Sequence, residues 1–347
     1  MVFGYKKNMN KKATPQALIV FDMDGVIVDV SGSYRNTVRQ TARLFFKDAV
    51  SWKDLPDPLF SHADLARVKQ SGGLNNDWDL TFLIINLLFT RVKKSSEHPD
   101  SDAWIAYEKT LQNCDVAHLA RFLNSETHPV STLLKKNGRI SNDFIARLYN
   151  GDVGSGNIIK QIFQEIYLGK ELFESTYGIP SKFYHEQGFI NRETLLIDKS
   201  ILERLSQNNI LAIATGRPRI EADYPLDNFD LKEFFSLILT LDDCLKEEQK
   251  VFEQHQKKVV LSKPNPYMLD AIEAAYQDKV SKYFYIGDMP DDMMAASRSR
   301  AGFIGIGVLV SSSEKDRLKK DLENAGAHYI LEDFNELLKI VESPNTN

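Results

Sequence analysis

The segment Phe21-Asp22-Met23-Asp24-Gly25-Val26 decides how this sequence folds. It ends an apolar run, Ala17 to Phe21, whose length and composition predict a buried strand. Burying two carboxylates so close together costs several kcal/mol each unless a cation compensates their charge. Gly25 allows the backbone to turn sharply away from the strand. We therefore expect Asp22 and Asp24 at the carboxyl edge of a parallel sheet, where open α/β folds bind their ligands.

Four further apolar runs lie in the C-terminal half of the chain, and each is rich in Ile, Val, Leu or Phe. They are Ile210 to Ala214, Phe235 to Thr240, Tyr283 to Gly287 and Phe303 to Val308. Segments with helical spacing lie between them, such as Pro266 to Tyr276 and Ser312 to Ala325. Strands that alternate with helices predict an α/β fold with a Rossmann-like parallel sheet flanked by helices.

The region between the first strand and the second has a different pattern. Apolar residues recur there at three- and four-residue spacing, which predicts amphipathic helices. The segments concerned are Ser33 to Asp48, Thr81 to Val92, Ala103 to Leu123 and Ile158 to Leu168. We therefore predict an inserted all-helical domain at residues 31–194, a core made of residues 14–30 and 195–347, and a flexible tail at residues 1–13.

Composition limits the class of protein. A chain of 347 residues exceeds the usual size of a single domain, and 43% apolar with 26% charged residues is typical of a soluble globular protein. The net charge of −5 argues against a nucleic-acid partner. The longest apolar stretch, Phe82 to Phe89, is far shorter than the ~20 residues of a membrane span. The two cysteines form no disulfide framework, which predicts a cytoplasmic protein.

Three further motifs follow predicted strands. Ile213-Ala214-Thr215-Gly216-Arg217 offers a hydroxyl and a free amide to a phosphate oxygen, although Thr215 could instead cap a helix. Ser262-Lys263-Pro264-Asn265-Pro266 places one lysine before a helix, either at the site or on the surface. Tyr285 to Asp292 ends a strand in an acidic cluster that suits Mg²⁺, but acidic residues also favour helix N-termini. A parallel sheet would bring these strand ends together.

In this order the motifs resemble those of the haloacid dehalogenase superfamily of phosphohydrolases. The matching residues are Asp22-Met23-Asp24, Thr215, Lys263, and Gly287-Asp288 with Asp292. The resemblance covers residues 14–30 and 194–342, and the predicted helical insertion lies where part of this family carries a cap domain. It implies a Mg²⁺-dependent phosphatase that acts on a small phosphorylated metabolite.

The resemblance also implies roles for the matched residues. Asp22 would attack phosphorus and form an aspartyl phosphate, while Asp24 would protonate the leaving oxygen and then activate water. Thr215 and Lys263 would hold the phosphoryl oxygens, with Gly216 beside them. Arg217 either assists with the phosphate or pairs with a carboxylate.

The same resemblance implies a metal site. The expected ligands of Mg²⁺ are Asp22, the backbone carbonyl of Asp24, and Asp288, with Asp292 as a further ligand or as a partner of one. The dehalogenase and phosphonatase branches of the superfamily lack an aspartate at the position of Asp24. Its presence here therefore points to the chemistry of phosphate esters.

One segment of the insertion, Lys69 to Trp78, combines glycines, amides, a charge and an aromatic ring. In relatives with helical caps, the corresponding loop reads the leaving group. We therefore predict that Lys69, Asn75, Asn76 and Trp78 contact a polar leaving group. A plain surface loop is the alternative.

Two other functions are compatible with these motifs. A phosphomutase would use the same nucleophile but return the phosphoryl group to a sugar, and would need a cap that excludes water. A binding module would keep the fold without catalysis, although every acidic and phosphate-holding position is filled here. The sequence leaves the substrate and the oligomeric state open.

Overall fold

The computed structural model describes residues 16–70, 76–94, 97–98, 100–312 and 314–342. Within them the chain forms two compact units. The first, here called the sheet unit, combines residues 16–28 with the described residues from Leu195 to Glu342. The second, here called the helical unit, is Asp29–Thr194.

Ten strands occur among the described residues. They are β1 (Leu18–Phe21), β2 (Val28–Asp29), β3 (Lys93–Lys94), β4 (Cys114–Asp115), β5 (Thr194–Leu195), β6 (Ile210–Ala214), β7 (Phe235–Leu239), β8 (Tyr283–Gly287), β9 (Ile304–Val308) and β10 (Tyr329–Leu331). Six of them form one sheet in the order β10-β9-β8-β1-β6-β7, and each neighbouring pair is parallel. The predicted α/β core with a parallel sheet is confirmed.

The first strand lies in the middle of this sheet, and all four of its residues are buried. Phe21 at its end is in register with Ile213 of β6 on one side and with Ile286 of β8 on the other. The chain therefore leaves all three strands at nearly the same level. This point, where the strand order reverses around β1, is the usual ligand-binding position of an open α/β sheet.

Helices cover the sheet because each strand offers apolar side chains to both faces. The helices of the sheet unit are α9 (Lys199–Ser206), α10 (Arg219–Asn228), α11 (Leu241–His255), α12 (Tyr267–Tyr276), α13 (Pro290–Arg298), α14 (Lys315–Asn324) and α15 (Asn335–Glu342). Leu18 and Val20 of β1 share one buried apolar cluster with Met268 and Ile272 of α12. That cluster anchors the central strand.

The helical unit contains α1 (Tyr34–Leu44), α2 (His62–Gln70), α3 (Asp77–Phe89), α4 (Ala103–Gln112), α5 (Ala117–Ser125), α6 (Pro129–Asn137), α7 (Asp143–Arg147) and α8 (Ile158–Tyr177). Helix α1 packs against α3 and α8, and α2 packs against α6. Helix α8 is longer than predicted and is kinked at Gly169, whose φ is 75°. A side chain there would lie only 2.2 Å from the amide nitrogen of Gly188, so glycine is required.

The segment from Ala103 to Leu123, whose spacing predicts helix, forms two helices with a short strand between them, so the insertion is mainly rather than entirely helical. Helix α4 ends at Gln112, and β4 then pairs antiparallel with β3. Asp115 accepts a hydrogen bond from the amide of Ala117 (2.9 Å), at the start of α5. Strand β10 was not predicted, because three residues carry too short a pattern. No helix of the described residues is long and apolar enough to cross a membrane.

Candidate active site

The carboxyl edge of the sheet collects polar side chains from its central strands. Asp22 follows β1, Thr215 follows β6 and Asp288 follows β8. All three are buried, with exposed fractions of 6%, 1% and 7%. The sequence analysis predicted that these strand ends meet, provided that the strands are parallel. β1 pairs parallel with both β6 and β8, so the three strands end side by side.

Lys263 lies inside this group rather than on the surface. Its Nζ is 2.7 Å from Oδ1 of Asp22 and 2.8 Å from Oδ1 of Asp292. Burial disfavours the charge of the ammonium group, but the two carboxylates outweigh this effect and raise the pKa of Lys263 well above its usual value. The lysine is therefore a fixed cation next to Asp22.

Asp292 holds this lysine in place. Its Oδ1 accepts hydrogen bonds from Lys263 and from the hydroxyl of Tyr285, which is 2.9 Å away. Its Oδ2 accepts a bond of 3.0 Å from the amide of Met289, so Asp292 also caps helix α13. Of the two predicted interpretations of the acidic cluster, the helix N-terminus is therefore confirmed for this residue. Because both oxygens already have donors, Asp292 is better placed to support the site than to ligate a metal directly.

The negative charges of Asp22, Asp288 and Asp292 are not balanced by Lys263 alone. Burial raises the pKa of Asp22 to about 7, against the opposing charge of Lys263 and with the help of Asp292 and Asp24. Carboxylate oxygens of Asp22, Asp288 and Asp292 lie within 4.8 Å of one another. Hard oxygen donors in such a buried group fit a divalent cation of the Mg²⁺ type.

Gly25 leaves room for this group. Its φ is 75°, and a Cβ atom there would lie 2.0 Å from Oδ2 of Asp288. Any larger residue would displace the Asp288 carboxylate, so the turn predicted for Gly25 has a steric as well as a conformational cause. That Cβ atom would also lie 3.1 Å from the hydroxyl of Ser311, a residue that sequence reasoning did not connect with the site.

Arg217 pairs with Asp24. Its Nε lies 2.6 Å from Oδ1 of Asp24, and its Nη1 donates to the backbone carbonyl of Glu221 at 2.9 Å. The arginine is 2% exposed, whereas the side chain of Asp24 is 32% exposed. Of the two alternatives for Arg217, the structure has the carboxylate pair. Asp24 is therefore oriented from its buried side and remains accessible on the other.

The loop after β6 is shaped by Thr215. Its Oγ1 accepts a hydrogen bond of 3.2 Å from the amide of Arg217. Helix α10 begins only at Arg219 and has Pro218 at its N-cap, so Thr215 does not cap that helix. Gly216 is exposed, and a Cβ atom there would meet nothing within 4 Å. The loop thus has open space beside its backbone.

Tyr285 is a site residue that sequence reasoning missed. It was assigned to a buried strand, and it is buried there, but its hydroxyl reaches Asp292. The sequence offered one signal for this role: a tyrosine in a strand predicted to be buried, whose hydroxyl usually needs a hydrogen-bond partner. Burial and the neighbouring Asp292 raise the pKa of Tyr285 well above its usual value, so it acts as a hydrogen-bond donor.

The residues predicted to read the leaving group are placed in the helical unit, except that Asn75 lies outside the described residues. Lys69 pairs with Asp77 at 3.1 Å. Asn76 caps α3 by accepting a bond of 2.8 Å from the amide of Trp78. The Trp78 ring lies 4.2 Å from Nζ of Lys160. Lys69 and Asn76 thus have local structural partners, and their contact with substrate stays a prediction.

Comparison with known proteins gives a family and one relative. The model of the haloacid dehalogenase-like hydrolases matches residues 17–300. The protein named imidazoleglycerol-phosphate dehydratase from Phytophthora nicotianae is 24% identical over 345 residues, which cover 96% of this chain and 54% of that protein. This chain therefore spans about half the length of that relative.

Among solved structures, an X-ray structure of a Northeast Structural Genomics Consortium target matches with a TM-score of 0.63 and 20% identity, covering 94% of this chain and 98% of the other. A phosphatase from Thermococcus thioreducens matches with a TM-score of 0.49 and 18% identity, covering 88% and 99%. The first of these likenesses shows a shared fold.

Proposed function

This chain belongs to the haloacid dehalogenase-like hydrolase family, and we propose that it is a Mg²⁺-dependent phosphatase that cleaves a small phosphomonoester through Asp22. One observation carries the proposal. A buried carboxylate at the carboxyl edge of the sheet lies 2.7 Å from the ammonium group of Lys263, within reach of a second buried aspartate, Asp288. This arrangement suits a nucleophile that must approach a negatively charged phosphate.

In the first step, an oxygen of Asp22 forms a bond to phosphorus while the bond from phosphorus to the ester oxygen breaks. Lys263 offsets the repulsion between the nucleophile and the phosphoryl oxygens. Asp292 and Tyr285 hold the lysine in position for this task. Thr215 and the backbone after it would donate to the phosphoryl oxygens from the end of β6.

Asp24 would carry the proton. It first gives a proton to the leaving oxygen and then takes one from the water that attacks the aspartyl phosphate, so that Asp22 and inorganic phosphate are released. Its accessible position and its contact with Arg217 support this role, because the arginine fixes the direction in which the carboxylate points.

Asp22, Asp288 and the backbone carbonyl of Asp24 would hold Mg²⁺. The bound ion would offset negative charge on the transferring phosphoryl group. Asp292 would act indirectly, since Lys263, Tyr285 and Met289 already donate to its two oxygens.

The name of the Phytophthora relative denotes a dehydratase, a different reaction from phosphate release. Because this chain spans 54% of that protein, the name does not assign an activity to the shared half. Imidazole-bearing phosphate esters are nevertheless sensible members of a substrate panel. The phosphomutase alternative uses the same nucleophile and differs only in the acceptor of the phosphoryl group.

A panel of phosphate esters tests the proposal. Release of inorganic phosphate is measured with and without Mg²⁺, and the products are identified so that an isomerised sugar phosphate would reveal a mutase. Asp22→Asn serves as the control, because it keeps the shape of the side chain but removes the attacking charge. We expect its turnover to fall by at least ~10³, or about 4 kcal/mol on the barrier. Equal phosphate release by Asp22→Asn and the wild type would refute the covalent mechanism.

A further inference from the structure

The helical unit contains a buried cation that the proposed chemistry does not use. Arg39 on α1 is 8% exposed. Its Nε donates to the carbonyl of Phe60 at 2.7 Å, and its Nη1 contacts Oδ1 of Asn36 at 2.8 Å and Nε2 of His62 at 2.9 Å. All three of these partners are neutral acceptors when His62 is neutral.

The charge of Arg39 is not neutralised locally. Arg39 forms no ion pair with a carboxylate of the described residues, and its Nη2 has no hydrogen-bond acceptor among them. Asp57 attracts it from a distance, but that carboxylate is 62% exposed and lies 3.6 Å from Nε of Arg43. Burying an arginine without a paired anion is unfavourable, so an anion from outside the chain would stabilise this guanidinium group.

Arg39 lines an open groove of about 430 Å³. This volume is within the range of small-molecule sites, roughly 300–1,000 Å³. More than half of the lining residues are apolar, and they include Leu59, Phe60 and Leu123. Ser61 and Thr127, whose side chains carry hydroxyl groups, line the same groove as Arg39. The groove therefore combines an apolar surface with a small set of donors.

The charged residues that line the groove indicate which charge a bound anion would carry. Arg39 is its one permanent cation among the lining residues, and Glu126 is an exposed acidic residue at the same groove. Burial together with Arg39 and Arg35 lowers the pKa of His62, which keeps that ring neutral near pH 7. One cation opposed by one acid accommodates a singly charged anion better than a phosphate dianion.

We propose that this groove, built on Arg39, Ser61 and Thr127, binds a small organic monocarboxylate with an apolar body. The carboxylate accepts from Nη2 of Arg39 and from the two hydroxyls, and the apolar part lies against Leu59, Phe60 and Leu123. The groove differs in chemistry from the proposed phosphate site of the sheet unit, because Glu126 is the one carboxylate among its lining residues.

Isothermal titration calorimetry of the full chain with hexanoate tests this assignment. We expect one site with a Kd below about 1 mM, and binding at least about tenfold weaker for hexanamide and for inorganic phosphate. Arg39→Met keeps the length of the side chain but removes its charge, and it should weaken hexanoate binding by at least about tenfold. The matched control is Arg43→Met, one helical turn away and not part of the groove, which should change the Kd less than about twofold.

Three results would overturn the assignment: no hexanoate binding, equal binding of hexanamide or phosphate, or equal loss in the two arginine variants. If Arg39→Met does not fold, the NMR signal of the Nε–H group of Arg39 is followed in the wild-type protein instead. Hexanoate should shift that signal and leave that of Arg43 unchanged, and the reverse pattern or no shift would refute the proposal.

Discussion

Replacing Tyr285 with phenylalanine removes a hydroxyl that positions Asp292, which in turn holds Lys263 next to the proposed nucleophile, Asp22. In the wild type, Oδ1 of Asp292 receives hydrogen bonds from Tyr285 at 2.9 Å and from Lys263 at 2.8 Å. Lys263 also contacts Asp22 at 2.7 Å. Without the tyrosine hydroxyl, Asp292 keeps the amide of Met289 and the lysine as donors but loses the donor that fixes the direction of its Oδ1.

The expected effect follows from the strength of that bond. A hydrogen bond to a charged group contributes about 1.5–3 kcal/mol. Because Asp292 acts on the nucleophile through Lys263, we expect about 1–2 kcal/mol of this to appear in the transition state, which corresponds to about a 5- to 30-fold fall in kcat/KM. The free energy of unfolding should fall by about 1–2 kcal/mol as well.

Tyr283→Phe is the matched control. Tyr283 lies two residues earlier on the same strand and donates to the carbonyl of Val280 at 3.2 Å, away from Asp292. Steady-state kinetics with the best ester of the panel, together with urea unfolding, separates stability from catalysis. Tyr283→Phe should lose stability but keep its turnover. If Tyr285→Phe retains more than half of the wild-type kcat/KM, or if both variants lose activity equally, the positioning role of Tyr285 is wrong.

Three further predictions concern the metal, the leaving group and the helical unit. Chelation should abolish phosphate release, and added Mg²⁺ should restore it. Ca²⁺ should support less turnover because its coordination is looser. Full activity in excess chelator would contradict the metal assignment. Trp78→Ala should lower kcat/KM for the natural substrate by about 5- to 150-fold and largely spare the activity toward para-nitrophenyl phosphate. Lys263→Ala should impair the activity toward both substrates. If both variants lose the two activities in the same proportion, residues 69–78 do not determine specificity. Glu165 is buried, and its Oε2 accepts from the amides of residues 182, 183 and 184 at 3.0, 2.6 and 3.2 Å. Glu165→Gln should therefore lower the free energy of unfolding by about 2–4 kcal/mol in urea titrations, while the exposed control Glu171→Gln should change it by less than about 0.5 kcal/mol.

The sequence by itself determined the elements whose signal is local. The apolar runs Ile210 to Ala214 and Tyr283 to Gly287 coincide with β6 and β8, because a strand buried on both faces needs consecutive apolar residues. The acidic pair Asp22 and Asp24 could be assigned to a strand end for the same reason. Short elements escaped prediction: β3, β4 and β10 have two or three residues each and carry no periodicity.

Tertiary structure decided which of these side chains touch. Arg217 pairs with Asp24 across 193 positions of sequence, and the sequence allowed either a phosphate or a carboxylate as its partner. Tyr285 has the pattern of a core residue, and its role depends on Asp292 seven positions later, after the chain has turned into α13. The environment of Arg39 likewise depends on the distant segment at Phe60 and His62. Such contacts follow from strand register and helix packing, which residue type and spacing along the chain do not specify.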